Sequence, residues 1–324
     1  MNKQSANRLA DFLHRPISGS ITKSNHWQYF SKQSVVEVSR SSGRVSFRAG
    51  AGFDDDYELN FRAPELIRIL KAALKRLFGR DDAHNFRRAF YATTPTQAPA
   101  VAPIETISAL PGPITAHKYL AHYYLNNLLP HASQLRNARY LEIGPGTGYL
   151  AALFRLARGG TCTIIDLPEM IPFSFLFLTK VFPDADFLLP NEITAAALKE
   201  NHPQLVFLTP DSLHLVPDYS ADTIVNTASF GEMLPQQIKT YFEFMRRVIA
   251  PEGLFFTANR VEKWMNQTHV ALDDNVPEKG IAVRFEDYPW SAGDRDVFYH
   301  LSEFHNIVQP QNPILMRLVR LARN

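Results

Sequence analysis

The 324-residue chain contains a single cysteine, Cys162, which excludes an intramolecular disulfide framework and a cysteine-rich zinc site. No His-Glu-x-x-His pair is present on which a metallohydrolase could be built. The formal charge of +2 with histidine neutral is too small to announce a nucleic-acid partner, and none is expected. Long apolar runs are also missing. The most apolar stretch, "MIPFSFLFLTKVF", carries Pro172 and Lys180 and is too short to span a bilayer. The opening residues "MNKQSANRLADFLHRP" hold no apolar signal region, so a cytoplasmic location is expected.

What is present describes a folded chain. Hydrophobic residues make up 45% and charged residues 20%, the balance of an ordinary globular protein. The length suits one large α/β domain, or a domain of about 200 residues with a substantial extra element. Cys162 lies in "TCTIID", where alternation and β-branching predict a buried strand and a thiol acting as a small hydrophobe.

Residues 1–92 lack sustained strand-helix alternation. Their clearest element is "APELIRILKAALKRLFG", with Pro64 at a first helical position, Glu65 in the first turn and Gly79 where a C-cap would sit. Leu66, Leu70, Ala73, Leu74 and Leu77 share one helical face, and Arg68, Lys71 and Lys75 another. This region is expected to be a mainly helical N-terminal extension, serving as a cap or an oligomerisation element. Residues 93–115, rich in Pro, Thr and Ala, read as a connecting arm because each proline fixes φ and extends its predecessor.

Residues 116–324 read as the main domain. A helix, "AHKYLAHYYLNNLL", leads into alternating segments: strand "ARYLEIG", helix "GYLAALFRLA", strand "TCTIIDL", helix "MIPFSFLFLTKVF", strands "QLVFLTP" and "ADTIVNTAS", helix "PQQIKTYFEFMRRVI" and strand "EGLFFTANR". Such alternation predicts a Rossmann-like, doubly wound, mostly parallel sheet, whose ligands bind at the carboxyl ends of the strands. After Arg260 a loop region carrying "IAVRFEDYPW" and a short apolar helix, "PILMRLVRLA", are expected.

The strand-turn-helix "YLEIGPGTGYL" places Glu142 before Gly144, Gly146 and Gly148. A phosphate-binding P-loop would need a lysine that is not there. A dinucleotide turn would want glycine or alanine where Tyr149 stands. Glu142 would repel a pyrophosphate but accept a ligand ammonium. The next strand ends in Asp166, 18 residues after Gly148, about where a βαβ unit sets an acid beside ribose hydroxyls. A ribose, an amino-acid tail and no phosphate describe S-adenosylmethionine (SAM).

The acid-x-Gly-x-Gly-x-Gly turn is similar to motif I of class I methyltransferases. "TIIDLPEM", "NTASFGEM", "YFEFMRRVIAPEGLFFTANRVEK" and "RFEDYPW" resemble, over roughly residues 110–295, a bacterial family of sugar O-methyltransferases. The resemblance implies a SAM-dependent enzyme methylating a hydroxyl of a nucleotide sugar, a surface polysaccharide or a glycosylated natural product. It places Asp211 and Ser212 near the adenine, Leu167 beside Asp166 at the ribose, and Asp222 at the opening of the fourth strand.

A sugar hydroxyl is a weak nucleophile, so a base is sought at the carboxyl ends of the fourth and fifth strands. Glu232 is one candidate, although a capping box from Ser229 to Glu232 at the next helix is equally natural. Asn226 would end the fourth strand and position the methionine moiety or the acceptor, and His214 is a second candidate base. His117 and Tyr119 could approach the cofactor's amino-acid end. Ser229, Arg260, Tyr288 and Trp290 are the candidate acceptor contacts, with Tyr288 and Trp290 either stacking on a sugar or packing the C-terminal segment. Asp54 to Asp56 and Asp273 with Asp274 sit in polar loops, and no metal is expected.

Three alternatives stay open at this stage. SAM could serve another small natural-product acceptor, or its own amine could attack its Cγ, giving a cyclic amino acid and methylthioadenosine. The chain could also bind SAM as a regulatory protein, and could form a homo-oligomer.

Overall fold

The computed structural model describes residues 3–14, 35–39, 42, 44–48, 82–93, 105–112, 114–132, 136–200, 203–264 and 282–323. The expected basic helix at 63–79, Asp54 to Asp56, Asp273 and Asp274 lie outside the described residues.

An eight-stranded sheet organises the chain. In chain order its strands are β3 (Arg139–Ile143), β4 (Thr161–Ile165), β5 (Phe187–Leu188), β6 (Leu205–Leu208), β7 (Ala221–Thr227), β8 (Ile249–Arg260), β11 (Arg295–Leu301) and β12 (Ile314–Arg320). In space they run β11-β12-β8-β7-β3-β4-β6-β5. The pairs from β5 through β8 are parallel, and β12 is antiparallel to both β8 and β11. This is a Rossmann-like, doubly wound, mostly parallel architecture. The chain builds outward from β3 through β4 to β6, then returns to place β7 on the other side of β3. That reversal opens a crevice above the carboxyl ends of β3, β4 and β7.

Both sheet faces are covered, which is why these strands are almost continuously apolar. On one face Tyr140, Ile164, Phe207 and Phe256 pack beneath α4 (Ala116–Leu128), α5 (Tyr149–Arg158) and α6 (Ile171–Val181). On the other, Leu141, Ile143, Ile224 and Phe255 pack against α8 (Pro235–Val248). Asp222 closes the amino end of the β3–β7 pair. Its carboxylate accepts from the backbone N–H and the guanidinium of Arg139, at 2.8 and 2.5 Å.

The described N-terminal parts join this core. They comprise α1 (Lys3–His14), a hairpin of β1 (Val35–Ser39) and β2 (Arg44–Arg48), and α2 (Asp82–Thr93). Leu9, Phe12, Ala89 and Phe90 are buried in the same cluster as the first sheet face. Arg8 holds α1 against the sheet edge, bonding Glu192 at 2.6 Å and the Phe187 carbonyl at 2.7 Å while stacking on the Phe187 ring. An otherwise open edge strand is thereby covered.

Two expectations are corrected. "PILMRLVRLA" is not a helix: residues 314–320 form β12, an inner strand pairing with β8 and β11. Arg317 and Arg320 are three apart and mimic a helical polar face, but burial on both sides favours an apolar strand there whatever the leucines' propensity. "IAVRFEDYPW" contains a short strand, β10 (Ala282–Arg284), paired with β9 (Glu262–Trp264).

Candidate functional site at the strand carboxyl ends

The glycine turn between β3 and α5 requires its glycines. Gly144, Gly146 and Gly148 take φ of +67°, +58° and +85°, a region that side chains disfavour. Gly144 is also boxed in, since a Cβ there would lie 2.5 Å from the Ser229 Cβ. Gly148 begins α5 without a capping side chain, and Glu142 supplies what is missing. Its carboxyl accepts the backbone N–H of Ala151, the third residue of the helix, and the Tyr140 hydroxyl at 2.9 Å.

Glu142 is 1% exposed and lies beneath the turn, in contact with the helix start. The sequence suggested instead that it would meet a ligand ammonium. Burial pushes its carboxyl up to about 8, against the lowering effect of Tyr140 and Ala151. The folded state therefore holds a proton that the unfolded chain loses near 4.5. Stability from this proton is complete below that value and is lost as pH rises through about 8. Glu142→Gln should therefore flatten the fall in unfolding free energy between those pH values. At pH 7 it should remain within about 1 kcal/mol of the parent, whereas Glu142→Ala should cost about 1–3 kcal/mol. Denaturant unfolding at several pH values measures both.

Asp166, just beyond β4, is 7% exposed. Its carboxylate takes the N–H of Leu167 at 2.8 Å and that of Gly146, so it ties the second strand end to the glycine turn. Burial, with the nearby charges of Glu169 and Glu232, pushes it up to about 7. Tyr241 of α8, 7% exposed, lies within the field of the same carboxylate. On the turn Pro210–Leu215 after β6, Asp211 is exposed, Ser212 is half-buried, and His214 bonds back to the Asp211 carbonyl at 3.0 Å.

The carboxyl ends of β7 and β8 are locked by side-chain amides. Asn226, fully buried, donates to the Ile143 carbonyl at 2.9 Å and to Ser229 Oγ at 2.5 Å, and accepts from Asn259 at 2.8 Å. Asn259 Oδ1 in turn takes the Gly231 N–H at 3.3 Å. This network holds Ala228 at φ +62°, strain of the kind tolerated where the surroundings over-determine the backbone. The expected capping box does not form. Ser229 Oγ donates to the Ile143 carbonyl at 3.1 Å, and α8 starts only at Pro235. Asn226 and Ser229 thus build the floor of the crevice. Glu232 stands above it, 22% exposed and 2.9 Å from Lys263 Nζ on β9.

The remaining candidates spread outward. Arg260 lies near enough to His305 for its charge to add to burial in pushing that imidazole down to about 4. Tyr288 and Trp290 pack in an aromatic cluster with Phe230, Phe242 and Phe285, and Arg317 covers the Trp290 ring at 4.0 Å. Tyr119 is buried against Phe90, and His117 is exposed on α4.

Three residues near the crevice escaped sequence reading. Lys118 is 1% exposed, bonds the carbonyls of Pro111 and Gly112 at 2.8 and 3.2 Å, and lies 5.6 Å from the centre of the Tyr149 ring at the start of α5. Its signal was legible: Lys118, Ala121, His122 and Leu125 share the buried helical face. Lys263 and Tyr241 carried no comparable signal. Among the described residues no group of three or more His, Cys, Asp or Glu is arranged to hold a metal ion, and no helix is long and apolar enough to cross a membrane.

No family model matches the chain, and no curated protein matches it. Among solved structures it is similar to magnesium protoporphyrin IX methyltransferase from Synechocystis PCC 6803 with bound SAH, at 12% identity over 77% of this chain and 99% of that one, TM-score 0.40. A SAM-dependent methyltransferase from Leishmania major gives 13% identity over 73% and 83% of the two chains, TM-score 0.41. The cyclase SpnF gives 12% over 75% and 94%, TM-score 0.41. The strand order and directions of the chain itself define its fold.

Proposed function

We propose that this chain is a SAM-dependent O-methyltransferase whose acceptor is a sugar or glycan hydroxyl. The observation that carries the cofactor reading is the join between the glycine turn and Asp166, in which the Gly146 N–H meets a buried carboxylate at the topological switch point. The residues fit SAM better than a phosphate-bearing nucleotide. The third amide of α5 is occupied by Glu142 rather than open to a pyrophosphate, and the charges of Glu169 and Glu232 bear on Asp166 at the end of β4. The acceptor class follows from the resemblance of the sequence phrases, and the open placement of Glu232 is consistent with it.

The glycine turn would seat the amino-acid end, with Lys118 beside it, and Asp166 would accept from the ribose hydroxyls. Asp211 and Ser212 would flank the adenine. When bound, SAM supplies a methyl group on a positively charged sulfur. The chain's task is then to hold the acceptor oxygen in line with that methyl and to take the hydroxyl proton on Glu232, which Lys263 orients. Asn226 and Ser229 act at one remove, by fixing the backbone that carries Glu232.

Calorimetry with SAM and mass spectrometry of the products test this reading. SAM should bind, and Asp166→Ala should weaken it by about 1.5–3 kcal/mol through lost charge-assisted hydrogen bonds. Incubation with SAM and sugar acceptors should yield S-adenosylhomocysteine and a methylated sugar. Methylthioadenosine accumulating from SAM alone would overturn the transfer reading in favour of self-cyclisation.

A further inference from the structure

Resting on the sugar-acceptor reading above, we propose that the acceptor is an anionic sugar and that Arg260 recognises its carboxylate or phosphate. Seven arginines lie between residues 246 and 320. Six of them, Arg246, Arg247, Arg284, Arg295, Arg317 and Arg320, pair with acids. Arg260 makes no ion pair among the described residues, although it is half-buried. A guanidinium that loses part of its hydration without a counter-charge costs the fold free energy, and a bound anion offsets that cost.

Backbone geometry sets this cation on the acceptor side of the crevice. Arg260 is the last residue of β8. Its neighbour Asn259 bonds Asn226 and the Gly231 N–H, and three residues further on Lys263 pairs with Glu232. Arg260 thus lies on the segment that joins the crevice floor to the partner of the base. Register with β12 sets it opposite Ile314, whose carbonyl accepts the Ser302 N–H at 2.8 Å. The Ser302–His305 turn is therefore its neighbour, and that turn offers no counter-charge. His305 is buried, with one ring nitrogen 2.8 Å from Ser302 Oγ and the other 3.4 Å from the Tyr124 hydroxyl, while Glu303 is exposed and makes no ion pair with Arg260.

The other charges nearby are matched or distant. Glu232 pairs with Lys263, and Glu262 with Arg284. Asp166 lies just beyond β4, which β3 and β7 separate from β8, about 14 Å at ordinary strand spacing. The buried ammonium of Lys118 beside the glycine turn has the same sign as Arg260 and cannot neutralise it. The planar guanidinium presents parallel N–H donors that match two oxygens of a carboxylate or phosphate. An acceptor held there by its anion turns a hydroxyl toward Glu232, rather than the negative group that Glu232 would repel.

The test is calorimetric titration of the full chain, first with S-adenosylhomocysteine and then, once saturated with it, with three sugars: neutral methyl glucoside, methyl glucuronide with its carboxylate, and UDP-glucose with its diphosphate. At least one charged sugar should bind about tenfold more tightly than methyl glucoside, and which one does so separates carboxylate from phosphate. Arg260→Met should erase that preference. Arg260→Lys should keep part of it, since a point charge remains while the paired donors are lost. Arg295→Met, at an exposed site on the amino end of the sheet, should leave the preference alone. If S-adenosylhomocysteine binds but the three sugars bind alike, no charged sugar binds, or Arg260→Met keeps the preference, the inference is wrong while the cofactor reading stands. If S-adenosylhomocysteine does not bind the parent protein, the cofactor reading fails and this inference falls with it.

Discussion

Asp294→Ala should lower the unfolding free energy by about 3–5 kcal/mol, the cost of removing one partner of a buried ion pair. The Asp294 side chain is buried and meets the 7%-exposed side chain of Arg246 through two bonds of 2.6 and 3.0 Å. Arg246 reaches from α8 to the carbonyls of Ala322 and Pro289, while Asp294 also accepts from the N–H groups of Ser291 and Ala322. One ion pair therefore binds the helix after β7, the Tyr288–Trp290 segment and the residues after β12. Without the carboxylate, the guanidinium is left buried beside neutral carbonyls. The melting temperature should fall by on the order of 10 °C, and Asp294→Asn should cost less because it keeps an acceptor for Ser291. Burial pushes the Asp294 carboxyl up, but Arg246 and the two N–H groups outweigh it and hold it below its ordinary value. Its stabilisation is thus present at neutral pH and lost only as pH falls through that lowered value. Thermal melts from pH 2 to 7 read the difference. Equal melting temperatures for parent and Asp294→Ala at pH 7 would refute this account.

Gly144→Ala should abolish measurable SAM binding and lower stability by about 2–5 kcal/mol. The left-handed backbone alone costs a side chain about 1–2 kcal/mol, and overpacking adds about 1–3 kcal/mol. The added Cβ would displace Ser229, whose hydroxyl and its partner Asn226 hold the end of β3 against β7. The damage therefore reaches the turn that carries Glu232. Combining Gly144→Ala with Ser229→Gly removes the collision but keeps the backbone strain, so it should recover part of the stability and less of the binding. A single variant that binds SAM normally by calorimetry would show that this close approach does not shape the site.

Local pattern makes the central sheet legible in the sequence. "RYLEI", "TCTII" and "LVFL" are short, apolar and separated by helical segments, and parallel strands buried on both faces must look that way. The glycines at 144, 146 and 148 were equally legible, because a left-handed turn leaves so few residue choices. β12 was not legible. Its leucines and three-apart arginines satisfy a helical pattern, and only its place between β8 and β11 makes it a strand.

The candidate site divides along the same line. Asp166 was found because chain distance from a glycine turn sets where the second strand ends. Glu142 was found for a different role, since period-two alternation turns its side chain toward α5, where it caps the helix. Lys263, Tyr241 and the Asn226–Asn259 bond join segments distant in sequence, and no spacing rule connects them.

By itself the sequence determined the alternation of strands and helices, the glycine turn and the acid at the end of the next strand. These depend on local backbone sterics and short-range periodicity. Tertiary structure decided which side chains became scaffold and which reach the crevice. It set Asn226 and Ser229 into the floor, Tyr288 and Trp290 into an aromatic core, and Glu232 beside Lys263. Such assignments depend on which distant segments the sheet order brings together, and on how much water each charge loses there.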